Sequence, residues 1–117
     1  MKENLIQKKS FAFSVRIVKL YKNLVENKRE FVLSKQLLRS GTSIGANIEE
    51  SIGGRSEKDF LFKVEIAYKE ARETIYWLKL LKETDYISVE EFNEVHNLAD
   101  EVCRILAKII ITVKNKV

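Results

Sequence analysis

Glu70 and Glu73 stand three residues apart with Lys69 and Arg72 beside them. On a helix they lie one turn apart on one face, where two carboxylates can hold a metal ion or share a proton. The same spacing is ordinary helix surface. Pairing with basic residues of neighbouring helices accounts for it better, since Glu70-to-Lys63 or Glu73-to-Lys69 spacing is what any helix surface shows. His96 is the only histidine, and Asn93 precedes it by three, so the Glu-x-x-His pairs of di-iron carboxylate bundles are excluded. It reads as a boundary side chain. Cys103, the only cysteine, permits no internal disulfide and no Cys/His zinc site. It neighbours apolar positions with no histidine close in sequence, as a small hydrophobe does rather than an activated nucleophile. Gly53-Gly54-Arg55-Ser56 offers an anion a helix N-terminus but lacks the Gly-x-x-x-x-Gly-Lys loop, and a helix stop explains it better. No catalytic residue, metal or cofactor is expected, and no pocket gathering Glu70, Glu73, Tyr76 or His96; the chain does not read as an enzyme.

The elements that carry these residues are helices. Proline is absent and all four glycines fall between residues 41 and 54, too little turn chemistry for a hairpin-rich β fold. A length of 117 residues suits one domain, 1–117, able to bury its own core. Apolar pairs recur with helical period from about residue 7 to 27: Phe13/Ser14, Ile17/Val18, Leu20/Tyr21 and Leu24/Val25. The pattern breaks at Asn27-Lys28-Arg29-Glu30. It resumes from about 32 to 52 through Leu33, Leu37, Gly41, Ile44, Ile48 and Ile52, where Gly53-Gly54 ends it by accepting a left-handed C-terminal conformation. Ser56 with Asp59 opens a third helix to about residue 83, and Ser88 with Glu91 a fourth to about 115. The last carries a heptad seam, Phe92, Val95, Ala99, Val102, Leu106, Ile109 and Val113. Short corners between long helices predict an all-α, antiparallel up-down-up-down four-helix bundle. The N-terminus has no apolar signal region and no stretch approaches the ~18 apolar residues of a membrane span, so a cytoplasmic chain without membrane contact is expected.

Helix two departs from generic bundle design. Gln36, Ser40, Ser43, Asn47 and Glu50 form a second stripe of polar, mostly small residues, and Gly41 and Gly45 sit inside the helix at about 1 kcal/mol each relative to alanine. Three readings are open. Small residues let a neighbouring backbone approach while Ser40 and Asn47 hydrogen-bond inside the bundle; the stripe is a subunit interface; or it lines a ligand pocket.

The net charge of +4 conceals a segregation. Residues 1–39 hold ten Lys/Arg against three Asp/Glu, 40–101 hold seven against fourteen, and 102–117 hold four against none. Lys22, Lys28, Arg29, Lys35 and Arg39 gather around the first corner. Lys2, Lys8 and Lys9 join Lys108, Lys114 and Lys116 at the opposite end, while Glu83, Asp85, Glu90, Glu91 and Glu94 make the third corner acidic. Such a surface neutralises phosphates without sequence preference, or lets the basic edge of one subunit face the acidic edge of the next in a ring. The expected phosphate-neutralising set is Lys8, Lys9, Arg16, Lys19, Lys22, Lys28, Arg29, Lys35 and Arg39. Aromatic residues do not interleave with the lysines, except Tyr21 beside Lys19 and Lys22, so no base-specific readout is expected.

The run Leu38-Arg39-Ser40-Gly41-Thr42-Ser43-Ile44-Gly45-Ala46-Asn47-Ile48-Glu49-Glu50, with Gly53, Ser56, Asp59-Phe60, Ile66 to Thr74 and Tyr76-Trp77-Leu78, resembles a bacterial four-helix-bundle family. That family was first noticed as reading frames in 23S ribosomal RNA intervening sequences. Many members carry proline where this chain has Gly45. The family looks related to the accessory variability proteins of diversity-generating retroelements, pentameric rings that bind nucleic acid and a reverse transcriptase. The resemblance implies a homo-oligomer, with a pentameric ring as the expected form, and RNA, DNA or a nucleoprotein as partner. The competing expectation is a structural or protein-interaction scaffold that binds no nucleic acid.

Overall fold

A reciprocal cap starts the first helix. Asn4 Oδ1 accepts from the Gln7 amide at 2.9 Å and Gln7 Oε1 accepts from the Asn4 amide at 3.0 Å, satisfying two donors that a helix end would leave orphaned. The computed structural model describes residues 4–116, so Lys2 lies outside the described residues. Its four helices are α1 (Leu5–Glu26), α2 (Leu33–Ile52), α3 (Glu57–Glu83) and α4 (Val89–Lys114). Helix α1 begins two residues earlier than its apolar stripe predicts, because Asn4 and Gln7 are polar and make the cap. Ser56 Oγ and Ser88 Oγ accept from the Asp59 and Glu91 amides, as expected, at 3.1 Å each. The return half of the box is made at neither: the Asp59 carboxylate does not bond the Ser56 amide, and the Glu91 carboxylate goes to Arg16 on α1.

Each helix packs on two neighbours around a square, α2 most extensively on α3, and α1 and α4 least on each other. The bundle measures 47 × 23 × 21 Å. Phe13, Ile17, Leu20 and Leu24 of α1 are buried with Leu37, Ile44 and Ile48 of α2, Leu78 and Leu81 of α3, and Val95, Val102 and Leu106 of α4. Each such side chain contributes roughly 1.5–3 kcal/mol of apolar burial. The small Ala67, Ala71 and Ala99 are also fully buried, which brings α3 and α4 close to their partners. The heptad seam of α4 is only partly realised: Ile109 packs half-buried against the core and Val113 is also only half-buried.

One expectation is corrected. Helix α2 does end at Gly53, but no glycine takes a left-handed conformation; Gly53 has φ −85°. Its C-terminus closes by the Gly54 amide donating to Ser51 O at 3.2 Å. A Cβ on Gly54 would stand 3.1 Å from that same oxygen, so close approach rather than positive φ is what glycine supplies there. The left-handed residues are Arg29 (φ 57°) and Asp85 (φ 66°), after α1 and α3. At the latter the Tyr86 amide donates to Leu81 O and the Asp85 amide to Lys82 O, a Schellman closure with aspartate in the place glycine usually takes.

Candidate nucleic-acid interface

The corner between α1 and α2 is organised by Glu30, which is 92% buried by its 8% residual exposure. Helix α2 has no side-chain cap from Val32. Instead the Glu30 carboxylate accepts from the amides of Val32, Leu33 and Ser34 at 3.2, 3.0 and 2.7 Å, and Ser34 Oγ donates to Glu30 O at 2.8 Å. Burial disfavours the charged carboxylate, but these amides outweigh it and hold Glu30 below the usual carboxylate range. Nothing in the sequence reading identified this residue. Glu-x-x-x-Ser ahead of an apolar stripe was the available signal.

The nine cations expected to meet phosphate divide into two groups. Arg16 reaches across to α4, donating to Glu94 from Nε at 3.0 Å and from Nη2 at 3.1 Å, and to Glu91 at 3.1 Å. The hydrogen bond to Glu94 is the main cause of the rise in Arg16's pKa, and in return it holds Glu94 below the carboxylate range. Lys9 pairs with Glu101 at 3.2 Å, again joining α1 to α4. Arg39 pairs with both Glu70 and Glu73 of α3. These three cations are engaged within the bundle, and the two α3 carboxylates pair with a basic residue of a neighbouring helix, as expected.

Lys8, Lys19, Lys22, Lys28, Arg29 and Lys35 are exposed and, among the described residues, make no ion pair. The first three share the outward face of α1, whose only acidic residue is Glu26; the others continue through the corner onto α2. Phe11 (67% exposed), Val15 (40%) and Val18 (36%) run between the lysines on that face.

Of the second stripe of α2 only Ser40 turns fully inward; Ser43 and Asn47 are half-buried, and Gln36 and Glu50 are exposed. Ser40 is fully buried and accepts from Thr74 Oγ1 at 2.9 Å, tying α2 to α3. Asn47 Nδ2 donates to Ser43 O at 2.8 Å, and Glu50 pairs with Lys63 at 2.7 Å. Gly41 and Gly45 face α1: a Cβ on Gly41 would lie 2.8 Å from Ile17 Cγ2, and one on Gly45 3.1 Å from Ser14 Oγ. Close packing within one bundle therefore accounts for the glycines and for Ser40.

No pocket gathers Glu70 and Glu73, but a groove of about 500 Å³ between α3 and α4 does bring Tyr76 and His96 together. Cys103 forms part of its floor; burial pushes the thiol's pKa up, opposed by the Arg72 charge. Among the described residues no group of three His, Cys, Asp or Glu side chains is placed to hold a metal ion. None of the described helices is long and apolar enough to cross a membrane.

Fold and surface together define an antiparallel four-helix bundle that displays unpaired cations on its first helix and first corner. The chain belongs to the 23S rRNA-intervening sequence protein family, whose model matches residues 2–108. It is similar to a solved structure from Bacteroides thetaiotaomicron described as a protein with unknown function from the S23 ribosomal protein family. The two share 52% identity and a TM-score of 0.90, over 91% of this chain and 98% of that one. No curated protein matches the chain.

Proposed function

We propose that this protein is a non-enzymatic, cytoplasmic homo-oligomer that binds RNA or DNA without sequence preference. The observation that carries the reading is the run of six exposed cations without carboxylate partners among the described residues, from Lys8 through Lys19 and Lys22 to Lys28, Arg29 and Lys35. An ammonium already bonded to a carboxylate gains little by meeting phosphate; a free one releases the counterions that drive association. Arg16, Lys9 and Arg39 are therefore assigned to holding the bundle together. The family's name, taken from 23S rRNA intervening sequences, agrees with an RNA partner.

Binding measured against salt should weaken steeply, with a log–log slope of about −3 to −5 for four to six phosphate contacts. Lys19→Glu with Lys22→Glu should weaken every sequence by about tenfold or more and flatten the slope by about two. Arg16 is unsuitable for this test, since reversing its charge would break its pairing with Glu91 and Glu94. A salt-independent affinity, or none at low salt, refutes the reading.

Assembly into a ring, with the pentamer supported by the resemblance to accessory variability proteins, is read from the mass in solution. A single species of 13.6 kDa at micromolar concentration would overturn it. A second reading, a protein-interaction scaffold, is favoured by the apolar side chains Phe11, Val15 and Val18 threaded through the lysines. In that case Val15→Asp should disperse the assembly, while the lysine reversals change no nucleic-acid affinity.

A further inference from the structure

The groove between α3 and α4 combines features that a solvated bundle face does not need. On α3, Tyr68, Arg72, Tyr76 and Lys79 recur every three or four residues and line one wall; Arg104 and Asp100 stand on the α4 side. This is a local reversal of charge. Residues 40–101 carry twice as many acidic as basic residues, yet they give the groove two cations and one carboxylate, and Arg104 adds a third cation. Asp100 is taken by Arg104 at 2.7 Å, and among the described residues Arg72 and Lys79 have no carboxylate partner. Arg72 donates only to Tyr68 Oη, at 3.4 Å. Glu70 and Glu73 lie on a different face of α3, where they pair with Arg39 of α2.

The aromatic part is braced. Trp77 Nε1 donates to Glu73 Oε2 at 2.9 Å, and its ring meets Tyr76 edge-on with centroids 5.0 Å apart. Tyr76 is nevertheless 58% exposed, leaving surface of the ring open. Eight residues of helix separate Tyr68 from Tyr76, about 12 Å along the groove. A flat ring that is both supported and open, beside unpaired cations, suits a base stacked on the ring with its phosphate against the guanidinium or ammonium.

We propose that the α3–α4 groove holds a short single-stranded nucleic-acid segment, with bases on Tyr68 and Tyr76 and phosphates at Arg72 and Lys79. The proposal rests on the nucleic-acid reading above but places a second contact on a different pair of helices, one that distinguishes single strands from duplex. Bases paired inside a duplex present no open face to the tyrosines, so the duplex relies on the α1 surface alone. On α1 only Phe11 stands among the lysines of the outward face, whereas on α3 two tyrosines alternate with two cations at helical spacing.

The test is fluorescence anisotropy on the full chain with a short labelled RNA strand and with the duplex of the same sequence. Tyr76→Ala should weaken the single strand by about tenfold and leave the duplex unchanged, and Tyr76→Phe should keep wild-type affinity for both. Lys19→Glu with Lys22→Glu should weaken both probes. Unchanged single-strand affinity in Tyr76→Ala, with the lysine response intact, overturns the groove and leaves the α1 reading standing. Equal losses on both probes also overturn it. A nucleoside monophosphate that competes as well as the strand overturns the assignment to a strand. Failure of the wild-type chain to bind either probe overturns both readings.

Discussion

Replacing Gly41 with alanine is expected to destabilise the bundle by about 2 kcal/mol, although alanine is the better helix former by about 1 kcal/mol. The new Cβ would stand 2.8 Å from Ile17 Cγ2 and 2.9 Å from Cγ1. Both distances are below van der Waals contact, and Ile17 Cβ follows at 3.3 Å, so rotating one methyl does not clear the space. Ile17 is itself fully buried, and α1 must move away from α2 to accept the extra methyl. In a chain of this size the melting temperature should fall by roughly 8 °C. Gly45→Ala is the control. Its nearest neighbour is the Ser14 hydroxyl at 3.1 Å, which can rotate, so the gain in helix propensity should nearly cancel the crowding. Joined to Ile17→Ala, the Gly41→Ala change should cost much less than it does alone, because the two remove and add atoms in the same space. Equal melting temperatures for the two alanine variants would refute this account of the α1–α2 contact.

Glu30→Ala should cost about 2 kcal/mol by leaving the first amides of α2 without their carboxylate. Glu30→Gln keeps an oxygen acceptor and loses the charge, so its cost should be smaller, about 1 kcal/mol, and its signature lies in the pH dependence. The folded-state pKa of Glu30 is lowered. Its contribution is therefore fully present above the unfolded-state value, about 4.3, and is lost as pH falls through the lowered folded value. Denaturant unfolding followed from neutral pH to below 4 should show a shallower acid limb in Glu30→Gln than in the wild-type chain. Superimposable limbs would mean that the carboxylate's bonds to Val32, Leu33 and Ser34 contribute nothing to stability.

The helices were legible in the sequence because their causes are local. An apolar residue every three or four positions makes a buried face, and Ser56 and Ser88 find their amide partners three residues away. Helix ends were legible for the same reason, within two residues. The mechanism of one end was not: Gly53-Gly54 was expected to be left-handed, whereas Arg29 and Asp85 take that conformation, as residues other than glycine do when the surrounding hydrogen bonds hold the turn.

Charge was only half legible. Counting lysines and arginines located a basic first third of the chain, but a charge becomes a binding group only when nothing inside the protein has already paired with it. Arg16 meets Glu91 and Glu94, which lie 75 and 78 positions away, and Arg39 meets Glu70 and Glu73 at 31 and 34 positions. No spacing rule within one helix reaches that far.

The sequence by itself determined that this chain forms four long helices with one continuous apolar face each, which compels an antiparallel bundle once the corners are short. The tertiary structure decided which face of α2 the glycines serve, which six of the nine expected cations have no ion pair among the described residues, and that α3 and α4 form a groove of aromatic and basic side chains. The division follows from range. Helix formation is settled by hydrogen bonds and side chains within one or two turns, whereas pairing, crowding and grooves arise between residues that only the packing of the bundle brings together.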